Sequence, residues 1–196
     1  RYAPDPASPD FRPGEIRVIY EDRTGALWIG SWSQGLGRLN PETGQFSIYV
    51  HDPLDPHSLS GDTVFAVEED RAGDLWIGTL EDGLNRFDRD SETFIHYKYD
   101  PEDSHSLSNN TVVAIHQDRS GTLWIGTAGG GLNRFDPVTG KVSDHYRHDP
   151  ADPRSLSNDT PWTIREGPRE NRIDRVHLAP VTAATHRLGR IVLVDG

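Results

Sequence analysis

The chain has 196 residues, of which 20 are basic and 31 acidic, and its formal net charge is −11. A surplus of negative charge repels phosphate backbones and anionic lipid surfaces, so neither nucleic acid nor a membrane is expected as a direct partner. The sequence contains no cysteine, which excludes disulfides and a thiol nucleophile. It also has no apolar run of about 18 residues that would span a membrane as a helix.

Residues 1–13 are rich in proline. Proline cannot donate a hydrogen bond to a sheet ladder, so this segment is predicted to be a loop. Its Tyr-Ala-Pro-Asp-Pro order is similar to an Asp-Pro loop that recurs further along the chain, at Asp52 and Asp100. We therefore expect residues 1–13 to be the end of a preceding repeat unit, or a loop.

A five-residue motif then recurs at a fixed spacing. It reads Leu-Trp-Ile-Gly-Ser at 27–31 and Leu-Trp-Ile-Gly-Thr at 75–79 and 123–127. Its tryptophans, Trp28, Trp76 and Trp124, follow one another at intervals of 48 residues. A fixed period with the same internal order indicates one supersecondary unit that is repeated.

Each repeat contains four short segments that are predicted to be strands. The first is an apolar run, at 16–20, 64–68 and 112–116, and an Asp-Arg-x-Gly turn follows it, in which glycine supplies a positive φ. The second is the tryptophan motif, whose continuous apolar residues are typical of a strand covered on both faces. A third strand and a turn lead to a fourth strand, which ends at Tyr97 or Tyr146, and a long Asp-Pro loop joins the repeats.

Four antiparallel strands at a period of about 40–50 residues are typical of a β-propeller blade, and no copy has helical periodicity. The predicted fold class is therefore all-β: a β-propeller fragment with about three complete four-stranded blades and the start of a fourth. The predicted division is 1–13 (loop or end of a preceding blade), 14–61, 62–109 and 110–158 (three blades), and 159–196 (start of a degenerate fourth blade and an aberrant tail).

The fourth repeat loses the pattern after Glu166, and Arg172 stands where the next tryptophan is due. Either the chain passes into a different element there, or the reading frame of the source was lost near Gly167. We favour the second hypothesis because the repeat ends within a predicted strand, and no function is assigned to the tail.

The repeated tryptophans Trp28, Trp76 and Trp124 are predicted to be core residues packed between blades rather than sugar platforms, because each blade carries one at the same position. A cation also repeats, as Arg38, Arg86 and Arg134. These arginines are expected to be structural, with the repeated turn aspartates as their partners (Asp22, Asp70 and Asp118).

The candidate ligand site comes from positions where the repeats differ. Antiparallel reversals place the loop after the second strand and the long inter-blade loop at the same end of a blade. Trp32 in that loop corresponds to Leu80 and Ala128, so the fold does not require an indole there. Variable loop tips on a rigid frame commonly bind ligands. The predicted ligand-binding residues are Trp32, Gln34, Glu81, Asp82 and Arg17, the last from a variable position in the first strand that faces the channel or the neighbouring blade.

No catalytic set, cofactor site or metal site is predicted. The sequence lacks a Gly-x-Ser-x-Gly elbow and a phosphate-binding loop, so the chain is not expected to be an enzyme. The Asp-Pro loops carry paired aspartates such as Asp52 and Asp55, which invite a calcium hypothesis. Asp before Pro is ordinary turn chemistry, however, and the spacing of a calcium loop is absent.

The pattern Asp-x-x-Gly-x-Leu-Trp-Ile-Gly-Thr followed by Gly-Leu-x-Arg-Phe-Asp resembles the two-component regulator propeller repeat. In that family such repeats build the extracytoplasmic sensor region of bacterial signalling proteins, often hybrid histidine kinases. The resemblance implies a periplasmic or otherwise extracytoplasmic sensor module that binds a small molecule, here an oligosaccharide. Its further partners would be propeller blades and a signalling output domain outside this chain. The alternatives are a protein-interaction scaffold and a propeller-type glycan hydrolase or lyase.

Overall fold

The computed structural model describes residues 14–166 and the strand at 173–178. Within those residues all regular secondary structure is β-strand, and most strands belong to four-stranded antiparallel sheets. The predicted all-β propeller class is confirmed. The predicted loop at 1–13 and Arg172 lie outside the described residues, as does most of the tail.

Three four-stranded sheets follow one another along the chain, and in each the spatial order of the strands is their sequence order. We call them the first, second and third blades. The first blade consists of β1 (Ile16–Glu21), β2 (Leu27–Ser31), β3 (Leu36–Leu39) and β4 (Phe46–Tyr49). The second consists of β5 (Val64–Glu69), β6 (Leu75–Thr79), β7 (Leu84–Asp88) and β8 (Thr93–Tyr97). The third consists of β9 (Val112–Gln117), β10 (Leu123–Thr127), β11 (Gly131–Asp136) and β12 (Lys141–Tyr146).

A two-stranded antiparallel sheet follows the third blade, formed by β13 (Pro161–Glu166) and β14 (Ile173–Leu178). In its register Pro161 lies opposite Leu178, and Ile164 lies opposite Val176. A second strand is therefore present although the tryptophan motif is not. The starts of β1, β5 and β9 keep the period of the sequence repeat, while the finer division into blade boundaries stays a prediction.

The tryptophan motif forms an inner strand of each blade, paired on both sides. In the second blade Trp76 lies opposite Glu68 on β5 and opposite Arg86 on β7. A strand with neighbours on both edges, and with both faces covered, reads as a continuous apolar run rather than an alternating one. All five residues of β6 and of β10 are buried.

The chain divides into two compact units, the first ending in the sequence at His96 and the second beginning at Tyr97. In the first unit the first and second blades share a core that contains Trp28 and Leu36 from one blade and Val64, Val67 and Phe87 from the other. In the second unit Trp124 and Leu132 of the third blade pack with Leu156 and with Ile164 of β13.

The first strand of each blade contains a bulge at its second residue. Ile16 and Val18 pair with consecutive residues of β2, so Arg17 is left without a partner in the ladder. Phe65 is skipped in the same way between Val64 and Ala66. An unpaired extra residue bends the strand and redirects its side chain, and such bulges often lie next to binding sites.

Candidate functional site

The aspartate of each Asp-Arg-x-Gly turn fixes the tryptophan of the same blade. Trp28 Nε1 donates to Asp22 Oδ2 at 2.9 Å, and Thr24 N and Ala26 N donate to Asp22 Oδ1 at 2.9 and 3.1 Å. The second and third blades repeat the indole bond, at 2.9 Å for Trp76 and Asp70 and at 2.7 Å for Trp124 and Asp118. Each carboxylate therefore closes its turn and holds the indole of the next strand.

These hydrogen bonds change the acidity of the turn aspartates. Burial alone raises the pKa of Asp22, but the hydrogen bonds from Thr24, Trp28 and Arg89 outweigh that effect and hold the pKa below its ordinary value. Asp118 has a lowered pKa for the same reason, with Ser120 and Trp124 as side-chain donors. Hydrogen bonds to the ionised form favour it, so these carboxylates are charged at neutral pH.

The expected pairing of the repeated arginines with the turn aspartates is wrong. Arg38 pairs with Glu92 at 3.5 Å, Arg86 with Asp74 at 3.7 Å and Arg134 with Asp144 at 3.7 Å. The partner of Asp22 is Arg89, at 2.9 Å. The turn aspartates accept hydrogen bonds from the indole of the following strand, and the repeated arginines pair with other carboxylates.

The predicted ligand residues Trp32 and Arg17 lie in direct contact. The guanidinium carbon of Arg17 is 4.2 Å from the centre of the Trp32 ring. Phe65 from the second blade meets the same indole edge-on, with ring centres 5.8 Å apart at 84°. Trp32 nevertheless keeps 41% of its surface exposed. An exposed indole beside a guanidinium offers a ligand both an apolar ring face and N–H hydrogen-bond donors.

The bulge in the first strand assembles this cluster. Arg17 and Phe65 are the residues that the ladders of β1 and β5 skip, and both side chains reach the loop that follows β2. The backbone of that loop is tied down as well, because Trp32 N donates to Glu15 O at 2.9 Å and Gly35 N donates to Asp62 O at 2.9 Å. The bulged residue of the first strand therefore directs its side chain towards the variable loops.

The other predicted ligand residues lie on the same loop or on its counterpart in the second blade. Gln34 is exposed, and its side-chain amide donates to Ser33 O at 3.0 Å. Glu81 is exposed and has a φ of 66°, a region in which non-glycine residues are strained. Gly129 occupies the same position in the third blade with a φ of 72°, where glycine adopts that conformation without strain.

The loops of the two blades are joined through the segment at 61–63. Leu80 N donates to Thr63 O at 3.0 Å, and the Thr63 hydroxyl donates to the backbone carbonyl of Trp32. The Asp82 carboxylate lies against Gly61, where an added Cβ would be 2.4 Å from Asp82 Oδ2. Trp32 and Arg17 are thus in contact, whereas Glu81 and Asp82 belong to a neighbouring loop that Thr63 connects to them.

A second charged cluster lies at the turns between the first two blades. Arg89 binds Asp22 at 2.9 Å and Glu69 at 3.0 Å, and Arg23 binds Glu69 at 2.9 Å. A cavity of about 380 Å³ opens beside this cluster, with Asp74 in its lining. Its arginines and carboxylates neutralise one another, so the cluster joins the two blades rather than presenting a free charge to a ligand.

Among the residues that the structure describes, no group of three or more acidic or histidine side chains is arranged to hold a metal ion. That part of the chain also contains no helix that could cross a membrane. The sequence singled out Trp32 and Arg17 by their variable positions, and the structure places the two side chains in contact. Sequence reasoning missed the aromatic contact of Phe65 and the link through Thr63, although an aromatic residue at the position of Arg17 in the next repeat was a visible signal.

Repeated four-stranded antiparallel sheets, each with its own buried tryptophan-motif strand, are typical of a β-propeller repeat protein. Residues 10–33, 58–81 and 106–129 match the family model described as two component regulator propeller. The resemblance inferred from the tryptophan motif is confirmed, and these segments are two component regulator propeller repeats. A comparison with curated protein sequences gave no match.

Two solved structures of extracellular domains from hybrid two component systems of B. thetaiotaomicron are similar to this chain. For BT3049 the TM-score is 0.68 at 26% identity, over 79% of this chain and 21% of that chain. For BT4673 it is 0.61 at 25% identity, over 78% and 20%. This chain therefore spans about a fifth of the length of those domains.

A more distant likeness concerns the fold alone. A structure of virginiamycin B lyase from Staphylococcus aureus with quinupristin has a TM-score of 0.57 at 17% identity, over 80% of this chain and 47% of that chain. Blades of this architecture thus occur both in extracellular domains of two component systems and in an enzyme, so function has to be argued from the site.

Proposed function

We propose that this chain is part of an extracytoplasmic sensor propeller of a two-component signalling protein, and that it binds an oligosaccharide at Trp32. The observation that carries the proposal is the stack of Arg17 on a partly exposed indole, 4.2 Å from the ring centre. Signalling output belongs to another domain of the same protein, and the likeness to extracellular domains of hybrid two component systems supports this role.

The chemistry of the Trp32 cluster suits a sugar. The apolar face of a pyranose ring stacks on an indole, and the surrounding hydroxyls need donors and acceptors at the ring edge. Arg17 supplies N–H donors beside the indole, and Gln34 supplies an amide on the same loop. Because the guanidinium covers part of the indole, the sugar would contact the remaining exposed part and accept hydrogen bonds from Arg17.

The loop of the second blade adds acceptors to this surface. Glu81 is an exposed carboxylate at a positive φ of 66°. A strained conformation at a loop tip is commonly associated with function, because the surrounding structure has to hold it in place. Carboxylates accept hydrogen bonds from sugar hydroxyls, so Glu81 and Asp82 would orient the ligand relative to the stacked ring.

The proposed function is tested by screening a panel of neutral and acidic oligosaccharides against the chain for a shift in thermal unfolding. A ligand present at a hundredfold excess over its Kd stabilises the folded state by about 2.7 kcal/mol, which is a measurable shift for a chain of this size. The expected result is that oligosaccharides of one glycan class raise the unfolding temperature, whereas monosaccharides of another class do not. Absence of any shift across the panel, together with capture of a defined protein partner, would favour the scaffold alternative.

A control separates binding from catalysis. The oligosaccharide that stabilises the chain is incubated with it and then analysed by mass. A sensor leaves the oligosaccharide intact, whereas a hydrolase or lyase shortens it. Val138→Ala, which shortens an exposed apolar side chain on the β11–β12 turn of the third blade, should leave the shift unaltered.

A further inference from the structure

The bulge that the blades carry in their first strand recurs in the two-stranded sheet, and there the skipped residue is Trp162. Pro161 and Thr163 pair with consecutive residues of β14, so Trp162 has no partner in the ladder. The third blade has Val113 at this position, and that valine is buried. Trp162, by contrast, is 38% exposed. The fold accepts a small buried side chain at the bulge, so it does not require a partly exposed indole there.

The first unit shows which surface a residue at this position meets. Phe65, the bulge residue of the second blade, lies edge-on against Trp32, with ring centres 5.8 Å apart at 84°. Trp32 belongs to the loop that follows β2 in the preceding blade. A bulge aromatic therefore faces the second-strand loop of the blade before it, and in the second unit that loop follows β10. Bulges commonly redirect side chains beside binding sites.

The second unit keeps the backbone frame that carries this contact. Gly131 N donates to Asp159 O at 2.9 Å, and Gly129 N donates to Thr160 Oγ1 at 3.0 Å. In the first unit an aspartate and a threonine at the same repeat positions bind the loop after β2. The loop after β10 is thus fixed against the segment that leads into β13, two residues ahead of Trp162.

The two units differ in what this loop presents to the bulge residue. Ala128 stands where Trp32 stands in the first unit, and two glycines follow it. A Cβ added at Gly129 would have no heavy atom within 4 Å, so open space adjoins the loop. The loop after β10 therefore carries no ring of its own to set beside Trp162, as Trp32 is set beside Phe65.

Two amide side chains lie at the edge of this space. The Oδ1 atom of Asn109 accepts from Thr111 N at 2.8 Å, and that of Asn158 accepts from Thr160 N at 2.7 Å. Asn109 lies beside the glycines of the loop, since a Cβ added at Gly130 would be 2.9 Å from the Cβ of Asn109. Because the backbone engages each amide oxygen, the NH2 group of each amide is the part that can donate to a ligand.

We propose that Trp162, Asn109 and Asn158 form a second ligand site, in which a pyranose ring of an oligosaccharide stacks on the Trp162 indole. The sugar ring takes the place that the loop of the first unit fills with the indole of Trp32. This site rests on the proposed function and extends it from one sugar platform to two. It is separate from the Trp32 cluster, because all of its residues belong to the second unit.

The chemistry of these groups suits a sugar better than a purely apolar ligand. An indole offers a flat apolar face to the C–H side of a pyranose and an N–H donor at its edge. The two amides supply donors for the hydroxyl oxygens around the ring. A few fixed polar groups beside an apolar surface give a site its specificity.

The indole N–H signals in a proton–nitrogen NMR spectrum report each tryptophan separately. The full chain contains five tryptophans, and the variants Trp32→Phe and Trp162→Phe identify the two signals of interest. Cellohexaose, mannohexaose and hexagalacturonate are titrated in turn, and sorbitol serves as a polyol without a ring. The expected result is a saturable shift of the Trp162 signal with one of the hexasaccharides and none with sorbitol.

Two variants tie this signal to the site. Ala128→Trp rebuilds the loop of the first unit, fills the place of the sugar ring and should weaken the binding that Trp162 reports on the order of tenfold or more. Asn158→Asp keeps the oxygen that accepts from Thr160 N but removes the NH2 donor, so binding should weaken several-fold. Val138→Ala, at an exposed position in the same unit, is the control and should leave the titration unchanged. Thermal unfolding of each variant checks that the fold is intact.

The outcomes separate this site from the Trp32 platform. A Trp162 signal that stays in place while the Trp32 signal saturates would overturn the second site and leave the proposed function standing. Saturation at Trp162 without a shift at Trp32 would support the second site and remove Trp32 as the platform. The second site is also overturned if Ala128→Trp titrates like the parent chain, if sorbitol shifts the Trp162 signal equally, or if none of the three hexasaccharides shifts it.

Discussion

Replacing Trp28 with alanine removes one of the largest fully buried side chains of the first unit. The indole stacks on Tyr49 at 5.9 Å, meets Phe87 edge-on at 5.2 Å and donates to Asp22 at 2.9 Å. Truncating a buried aromatic to alanine costs about 3–5 kcal/mol of unfolding free energy. Loss of the donor to a buried carboxylate places the expected cost at the upper end of that range.

The assay is equilibrium unfolding in urea, followed by far-ultraviolet circular dichroism. Trp28→Phe is the matched variant, because it keeps an aromatic ring against Phe87 but removes the N–H donor to Asp22, and it should cost about 1–3 kcal/mol. Val50→Ala, at an exposed position, should change stability by less than about 0.5 kcal/mol. A cost below about 1 kcal/mol for Trp28→Ala would refute the assignment of Trp28 to the shared core.

Three further predictions concern the turns. Gly35→Ala should destabilise the chain by more than about 1 kcal/mol, because its Cβ would lie 2.2 Å from Tyr49 O, whereas Gly129→Ala has a similar φ with open space around it and should cost less in the same urea titration. Arg89→Gln should cost about 1–3 kcal/mol, since it removes a charged donor from buried Glu69, and a neutral change in the urea midpoint would show that the cluster contributes nothing. The pKa of Asp22 and of Asp118 is lowered, so their contribution to stability is complete above the unfolded-state pKa of about 4 and is lost as pH falls below it. The urea midpoint should therefore stay constant from about pH 7 to about pH 5 and drop by about pH 3. A midpoint that rises on acidification would contradict this.

The repeat made the strands predictable from sequence. Three copies in register locate the turns at Gly25, Gly73 and Gly121, all of which have the expected positive φ. The strand that carries the tryptophan motif could be recognised as buried because its apolar residues are consecutive and do not alternate with polar ones. These features depend on local chain geometry, which a sequence period records directly.

The partners of the charged residues were not predictable in the same way. The expected pair of Arg38 with Asp22 failed because Asp22 lies in a turn from which its carboxylate reaches the indole of the same blade. Its arginine, Arg89, comes from a turn of the next blade and has no counterpart in the other repeats, which carry proline there. Contacts between blades depend on how sheets stack, and a repeat pattern contains no information on that.

The geometry of the candidate site was predictable only in part. The variable loop position pointed to Trp32, but the stack with Arg17 depends on the bulge in β1. Strict alternation would place neighbouring residues of that strand on opposite faces, so sequence reasoning left the direction of Arg17 open. As ligand-binding residues, all five stay predictions: Trp32, Gln34, Glu81, Asp82 and Arg17.

Titration calorimetry measures whether Trp32 is the platform for a sugar. An oligosaccharide identified in the glycan panel is titrated into the chain and into Trp32→Ala, with unfolding in urea measured for both. Affinity for Trp32→Ala is expected to fall on the order of tenfold or more, about 1.4 kcal/mol, while the unfolding free energy stays within about 0.5 kcal/mol of the parent. Unchanged affinity in Trp32→Ala, with the fold intact, would contradict it and place the ligand elsewhere.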